Sequence, residues 1–195
     1  ATGEETDRKL PYAHTKELME QEALRAVAEG QDVVIATSCA LLGPHDYKPS
    51  PMGQTMLDYT HGKLHAYIPG GVAFVSAADV CEGHVLAMRR GEAGQRYVLS
   101  TEFATVDQLM DLFEEVSGRR RPRLKLPPGV MAPLAEVSSF VMSNLFPSKP
   151  QRFTPDAVRL LRQQLRADDT KARVELGYAP TDIRSAVHEA YADFA

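Results

Sequence analysis

The segment Asp32-Val33-Val34-Ile35-Ala36-Thr37 constrains the fold more than any other, because its apolar, β-branched residues follow one another without polar alternation. A strand with one wet face alternates. An unbroken run of this length predicts a strand covered on both faces, as in a parallel sheet flanked by helices. The residues before it fit that reading. Met19, Ala23, Ala26 and Val27 recur at helical spacing and Gly30 stops them, which predicts a helix over residues 12–29. A helix running straight into a buried strand is the repeating unit of an α/β fold.

Downstream, Gly43, Pro44, Pro49 and Pro51 make residues 42–52 an irregular loop beyond the carboxyl end of that strand, where open α/β sheets bind ligands. A helix over 54–61 follows, then short strands over 64–68 and 72–75 separated by Pro69-Gly70-Gly71. Asp79 is positioned to cap a helix whose apolar face is Cys81, His84, Val85 and Met88, with Gly91 just past its end. After a strand over 96–99, Thr105-Val106-Asp107-Gln108 is a capping box for a helix with Leu109, Leu112, Phe113 and Val116 on one face, closed by Gly118. From Arg119 the pattern turns helical. Met131, Leu134, Phe140 and Met142 mark a helix over 130–145, Thr154-Pro155-Asp156 opens another, and Ile183, Val187, Ala190, Tyr191 and Phe194 line a last one. The expected division is 1–118 for the sheet-bearing unit and 119–195 for a smaller, mostly helical substrate lobe.

With 22 Lys and Arg against 26 Asp and Glu, the net charge of -4 carries no basic footprint for nucleic acid. The run Arg119-Arg120-Arg121-Pro122-Arg123 reads as a solvated connector. Two cysteines, Cys39 and Cys81, give neither a disulfide framework nor a zinc pattern, and the six histidines form no metal pair, so no metal is expected. His84 reads as a core histidine and the pair His61 and His65 as a solvated loop. No apolar run approaches the ~20 residues of a membrane span. The start Ala1-Thr2-Gly3-Glu4-Glu5-Thr6-Asp7 has no signal-like region, which points to the cytoplasm; lacking an initiator Met, it reads as the interior of a longer protein.

Tyr12-Ala13-His14-Thr15-Lys16 carries the chemistry. Four residues make about one helical turn, so the phenol of Tyr12 and the ammonium of Lys16 project from one face. A cation within a few ångström of a phenol favours the phenolate, which suits proton transfer with a substrate oxygen. Lys16 is also long enough to hydrogen-bond the ribose of a dinucleotide. Alone, the motif is common, and a half-exposed tyrosine beside a solvated lysine is its plain reading. Met52 and Tyr59 are candidate substrate contacts, with core packing as the competing reading. Cys39 has no histidine placed to activate it and reads as a small buried residue rather than a nucleophile.

In its context the motif resembles the extended short-chain dehydrogenase/reductases, in the dihydroflavonol-reductase-like and NAD-dependent epimerase/dehydratase branch. The matches are Pro11-Tyr12 through Lys16-Glu17 with Glu20, Ala40-Leu41-Leu42-Gly43-Pro44, Phe74-Val75-Ser76-Ala77-Ala78-Asp79-Val80, and Lys171-Ala172-Arg173-Val174-Glu175-Leu176-Gly177-Tyr178. The resemblance runs over nearly the whole chain. It implies the C-terminal part of a Rossmann-type, doubly wound parallel sheet in which Tyr12 is the general acid/base and Lys16 orients the cofactor. The cofactor would be NADP or NAD, NADP slightly ahead. The loop with Ser38, Cys39, Ala40 and Leu41 would contact the nicotinamide, Ser38 standing where the family has a proline, and Thr37 beside it would face substrate. The family's glycine-rich turn G-x-x-G-x-x-G does not occur in this sequence, so the upstream N-terminal half of the same protein is an implied partner, and without it neither dinucleotide binding nor turnover is expected. A small-molecule substrate is implied, and a homodimer is a possible assembly. The expected function is an NAD(P)H-dependent reductase or dehydrogenase acting on a ketone, aldehyde or alcohol. A nucleotide-sugar epimerase or dehydratase and a non-catalytic dinucleotide-binding regulator are the alternatives.

Overall fold

In the computed structural model, residues 11–127 and 155–194 are described. Helix α1, Pro11–Ala28, leads through Gly30 at φ 91° into β1, Ile35–Ser38, and β2, Ala40–Leu42. Then come α2, Pro51–Thr60; β3, Ala66–Tyr67; β4, Gly71–Ser76; α3, Ala77–Arg90; β5, Arg96–Leu99; β6, Glu102–Thr105; α4, Val106–Ser117; and β7, Leu124–Lys125. Helix α5, Pro155–Gln163, a π-helix over Ala172–Leu176, and α6, Ile183–Phe194, complete the described chain. The helix expected over 130–145, and the Thr154 cap, lie outside the described residues.

Parallel pairing dominates: β1 with β5, β2 with β4, and β3 with β7, while β6 runs antiparallel to β4. This is the α/β sheet architecture anticipated from the sequence. The burial of β1 differs. Ile35 and Ala36 are partly buried, Thr37 and Ser38 are exposed, and the strand starts three residues later than expected. Among the described residues β1 pairs with β5 alone.

Two helices also depart from expectation. Ser50 caps α2 by accepting the Gly53 N–H at 3.1 Å, with Pro51 in the first turn, so the helix begins a turn earlier than its apolar pattern suggests. For α3 the cap is Ser76, which accepts the Asp79 N–H at 2.9 Å, and Asp79 itself is buried. The face expected to be buried is the wet one: Cys81 and His84 are exposed, Val85 is 41% exposed and Met88 76%. Gly83 and Ala87 face inward instead. A Cβ on Gly83 would lie 2.7 Å from the Leu99 methyl carbons, so the missing side chain is what lets α3 press onto β5. The capping box at Thr105 and Gln108 forms as written, and Gly118 closes α4 at φ 66°.

The main core joins α2, α4, α6 and β4 around Met56, Tyr59, Phe113, Leu109, Met110 and Val187. Burying Phe113 alone contributes roughly 1.5–3 kcal/mol. Helix α6 belongs to this core although it lies beyond residue 118. A second core, with Tyr97, Leu99, Leu176 and Tyr178, seats the π-helix against α3 and β5. No helix among the described residues is long and apolar enough to cross a membrane.

Candidate active site

Pro11 sits in the first turn of α1, where its missing N–H costs nothing, and Tyr12 follows at once. One turn on, the Lys16 ammonium stands 5.6 Å from the centroid of the Tyr12 ring. Tyr12 is 72% exposed and Lys16 is exposed as well, so both groups are open to a ligand. The expected pair is therefore formed by local helical geometry.

The other residues singled out for the cofactor cluster at the carboxyl end of β1. Thr37, Ser38 and Leu41 are exposed; Cys39 and Ala40 are partly buried. The Cys39 N–H donates to the Leu99 carbonyl at 3.3 Å, which anchors the step from β1 to β2 onto the end of β5. Burial pushes the Cys39 thiol up, partly offset by a hydrogen bond from Ser100, so it stays protonated and gains no nucleophilic character. Met52 and Tyr59 lie elsewhere. Met52 packs against the main core, and Tyr59 is 2% exposed with its hydroxyl donating to the Arg119 carbonyl at 2.7 Å. Burial, with Glu114 and Asp111 nearby, pushes that phenol up to about 12. Packing is the role the structure shows for Tyr59. His61 and His84 are exposed, each with Nδ1 on the carbonyl four residues earlier, which removes His84 from the core.

At the start of α3 stands a polar network with no local sequence signal. Asp79 Oδ2 accepts the Thr101 hydroxyl at 2.8 Å, the Thr181 hydroxyl at 2.9 Å and the Thr181 N–H at 3.1 Å. The Thr101 hydroxyl in turn accepts the Ser76 N–H at 3.1 Å. One buried carboxylate thus ties the ends of β4 and β5 to the approach of α6. Its partners are 22 and 102 positions away in the chain, so only the tertiary fold exposes the connection.

No family model matches the chain. Among curated proteins it is 37% identical to sterol demethylase protein B of Methylococcus capsulatus, over 94% of this chain and 56% of that protein. It is 32% identical to a putative dihydroflavonol 4-reductase of Synechocystis, over 92% of this chain and 53% of that one. The chain thus spans about half the length of these relatives. Among solved structures, the crystal structure of gox2253 matches with a TM-score of 0.77 and 35% identity, over 94% of this chain and 55% of the other.

Proposed function

The chain belongs to the extended short-chain dehydrogenase/reductase family, in its dihydroflavonol-reductase-like and NAD-dependent epimerase/dehydratase branch, and we propose that it acts in an NAD(P)H-dependent reductase of small carbonyl compounds. The observation that carries this reading is the Lys16 ammonium held 5.6 Å from the ring of an exposed Tyr12.

The residues present fit the nicotinamide and ribose end of a dinucleotide: an open phenol and ammonium on one helix face, and exposed Thr37, Ser38 and Leu41 at a strand's carboxyl end. When bound, the nicotinamide supplies or takes up the hydride. Tyr12 gives its phenolic proton to the substrate oxygen in reduction and recovers it in oxidation. Lys16, beside the Tyr12 ring, would donate to the ribose hydroxyls. The Ser38–Leu41 segment would hold the nicotinamide, and Thr37 beside it would contact the substrate. The reductive direction fits NADPH as the preferred donor, with NADH second. The pyrophosphate cradle comes from a glycine-rich half outside this sequence.

The test is Tyr12→Phe in the full-length protein. Reduction should fall at least ~100-fold, the scale of general acid catalysis, while NADPH affinity stays within a small factor of wild type. Unchanged turnover removes Tyr12 from its role.

A further inference from the structure

The turn after β2 carries backbone strain. His45 stands at φ 66°, in the left-handed region that a residue with a Cβ rarely adopts. The fold holds it there from α6: the His45 N–H donates to Asp193 Oδ2 at 2.6 Å, and the ring Nδ1 lies 3.5 Å from the other oxygen of that carboxylate. Strain of this kind is offset by packing or serves a site. Packing does not offset it here, because the His45 side chain is 69% exposed.

What the strained turn presents is a second ring. The Tyr47 hydroxyl is hydrogen-bonded to His45 Nδ1 at 3.1 Å, and the two rings stack with centroids 5.7 Å apart and planes 30° from parallel. Tyr47 is nevertheless 86% exposed, more than any other large hydrophobic side chain among the described residues. One face of the phenol is thus held against an imidazole latched to α6, and the opposite face is open. The pair follows β2, which runs parallel to β4, so it lies beyond the carboxyl end of a parallel strand, where α/β sheets take ligands. His45 is four positions past Leu41, and a fully extended chain of that length reaches no more than about 14 Å. A polycyclic substrate held at the Ser38–Leu41 segment spans such a distance.

We propose that Tyr47 is a specificity residue of the reductase, stacking its open face on a flat ring of the substrate, and that His45, latched by Asp193, is the positioning residue that holds the phenol in place. The inference rests on the function proposed above and says which carbonyl compounds are favoured: ring-bearing ketones over acyclic ones. The strained turn then serves binding. It fixes the ring before the substrate arrives, so stacking is not offset by freezing a mobile side chain.

Two ketones, the fused-ring β-tetralone and the acyclic methyl hexyl ketone, test this in the full-length protein with NADPH. Wild type should reduce tetralone with a kcat/KM about tenfold above that for methyl hexyl ketone, the difference lying in KM. Tyr47→Ala should bring that ratio close to one at the wild-type unfolding temperature, and Tyr47→Phe, which keeps the ring, should retain most of it. His45→Asn, tolerated in a left-handed turn but without a ring to stack, should lose part of it. A wild-type ratio near one, a wild type that binds NADPH but does not reduce tetralone, or a ratio that survives Tyr47→Ala overturns the inference without touching the assignment of Tyr12 and Lys16. A Tyr47→Ala variant that unfolds clearly below wild type also overturns it, since the ring would then be packed structure. A ratio unchanged in His45→Asn overturns the positioning role of His45. A wild-type protein that binds neither NADPH nor NADH overturns the reductase reading and this inference with it.

Discussion

The carboxylate of Asp79 accepts the hydroxyl of Thr101 at 2.8 Å with both side chains buried. The same oxygen serves Thr181, so one acid holds the carboxyl ends of two strands and the entry to α6 together. Asp79→Ala would leave three donors facing a space without an acceptor. Urea unfolding should show a loss of roughly 2–4 kcal/mol, well above the cost of removing one ordinary hydrogen bond. A loss under about 1 kcal/mol would mean that water replaces the carboxylate and that the network holds nothing.

Lys16 lies on an exposed helix face, so its removal tests function with little bearing on the fold. Lys16→Met should leave the unfolding temperature in place and weaken NADPH binding about 10- to 100-fold, the range of a lost charge-assisted hydrogen bond. Fluorescence titration of NADPH reads this directly. An affinity equal to wild type would return Lys16 to the solvated residue that its motif alone suggests.

How far the sequence foretells these features depends on the distance over which each is encoded. Tyr12 and Lys16 are set by one helical turn, and the Thr105 and Gln108 box by four consecutive residues, so local rules suffice. Helix α3 resisted the same treatment. A count of apolar side chains favours Cys81, Val85 and Met88, yet a helix packed tightly on a sheet presents its smallest residues, and Gly83 and Ala87 occupy the interface. The exposure of Thr37 and Ser38 in β1 is equally hidden, because an apolar run records what a strand is suited to and not which neighbours cover it. Strand β6 is hidden because it runs directly into the α4 cap, Thr105 being both its last residue and the start of the capping box.

Acid should reveal a third relationship. Asp107 accepts from Lys125 at 2.6 Å and from the Tyr67 hydroxyl at 2.7 Å, and these two hydrogen bonds, Lys125 first, hold its carboxyl below the ordinary 3.8. A lowered carboxylate stabilises the folded state above its unfolded pKa, and that contribution is lost as the pH falls through the folded value. Both ion-pair partners are more than a third exposed, so solvent screening keeps the effect small. The stability difference between wild type and Asp107→Asn should be constant above about pH 5 and shrink below about pH 4. A difference that stays flat to the acid limit of the native state would show that the carboxylate is not perturbed by folding.

The tightest backbone approach near the candidate site lies between Gly43 and Ala77. A Cβ on Gly43 would stand 2.4 Å from the Ala77 Cβ and 3.0 Å from its nitrogen, so the turn after β2 and the start of α3 touch without a side chain between them. Gly43→Ala must push these elements apart, at a cost of about 1–3 kcal/mol for overpacking. Adding Ala77→Gly removes the nearer clash but leaves the nitrogen, so the double variant should recover part of the loss. The two substitutions should then couple by about 0.5 kcal/mol or more in a double-mutant cycle of urea midpoints. Strict additivity would mean that the two residues are not in contact and that the turn holds its place through other residues.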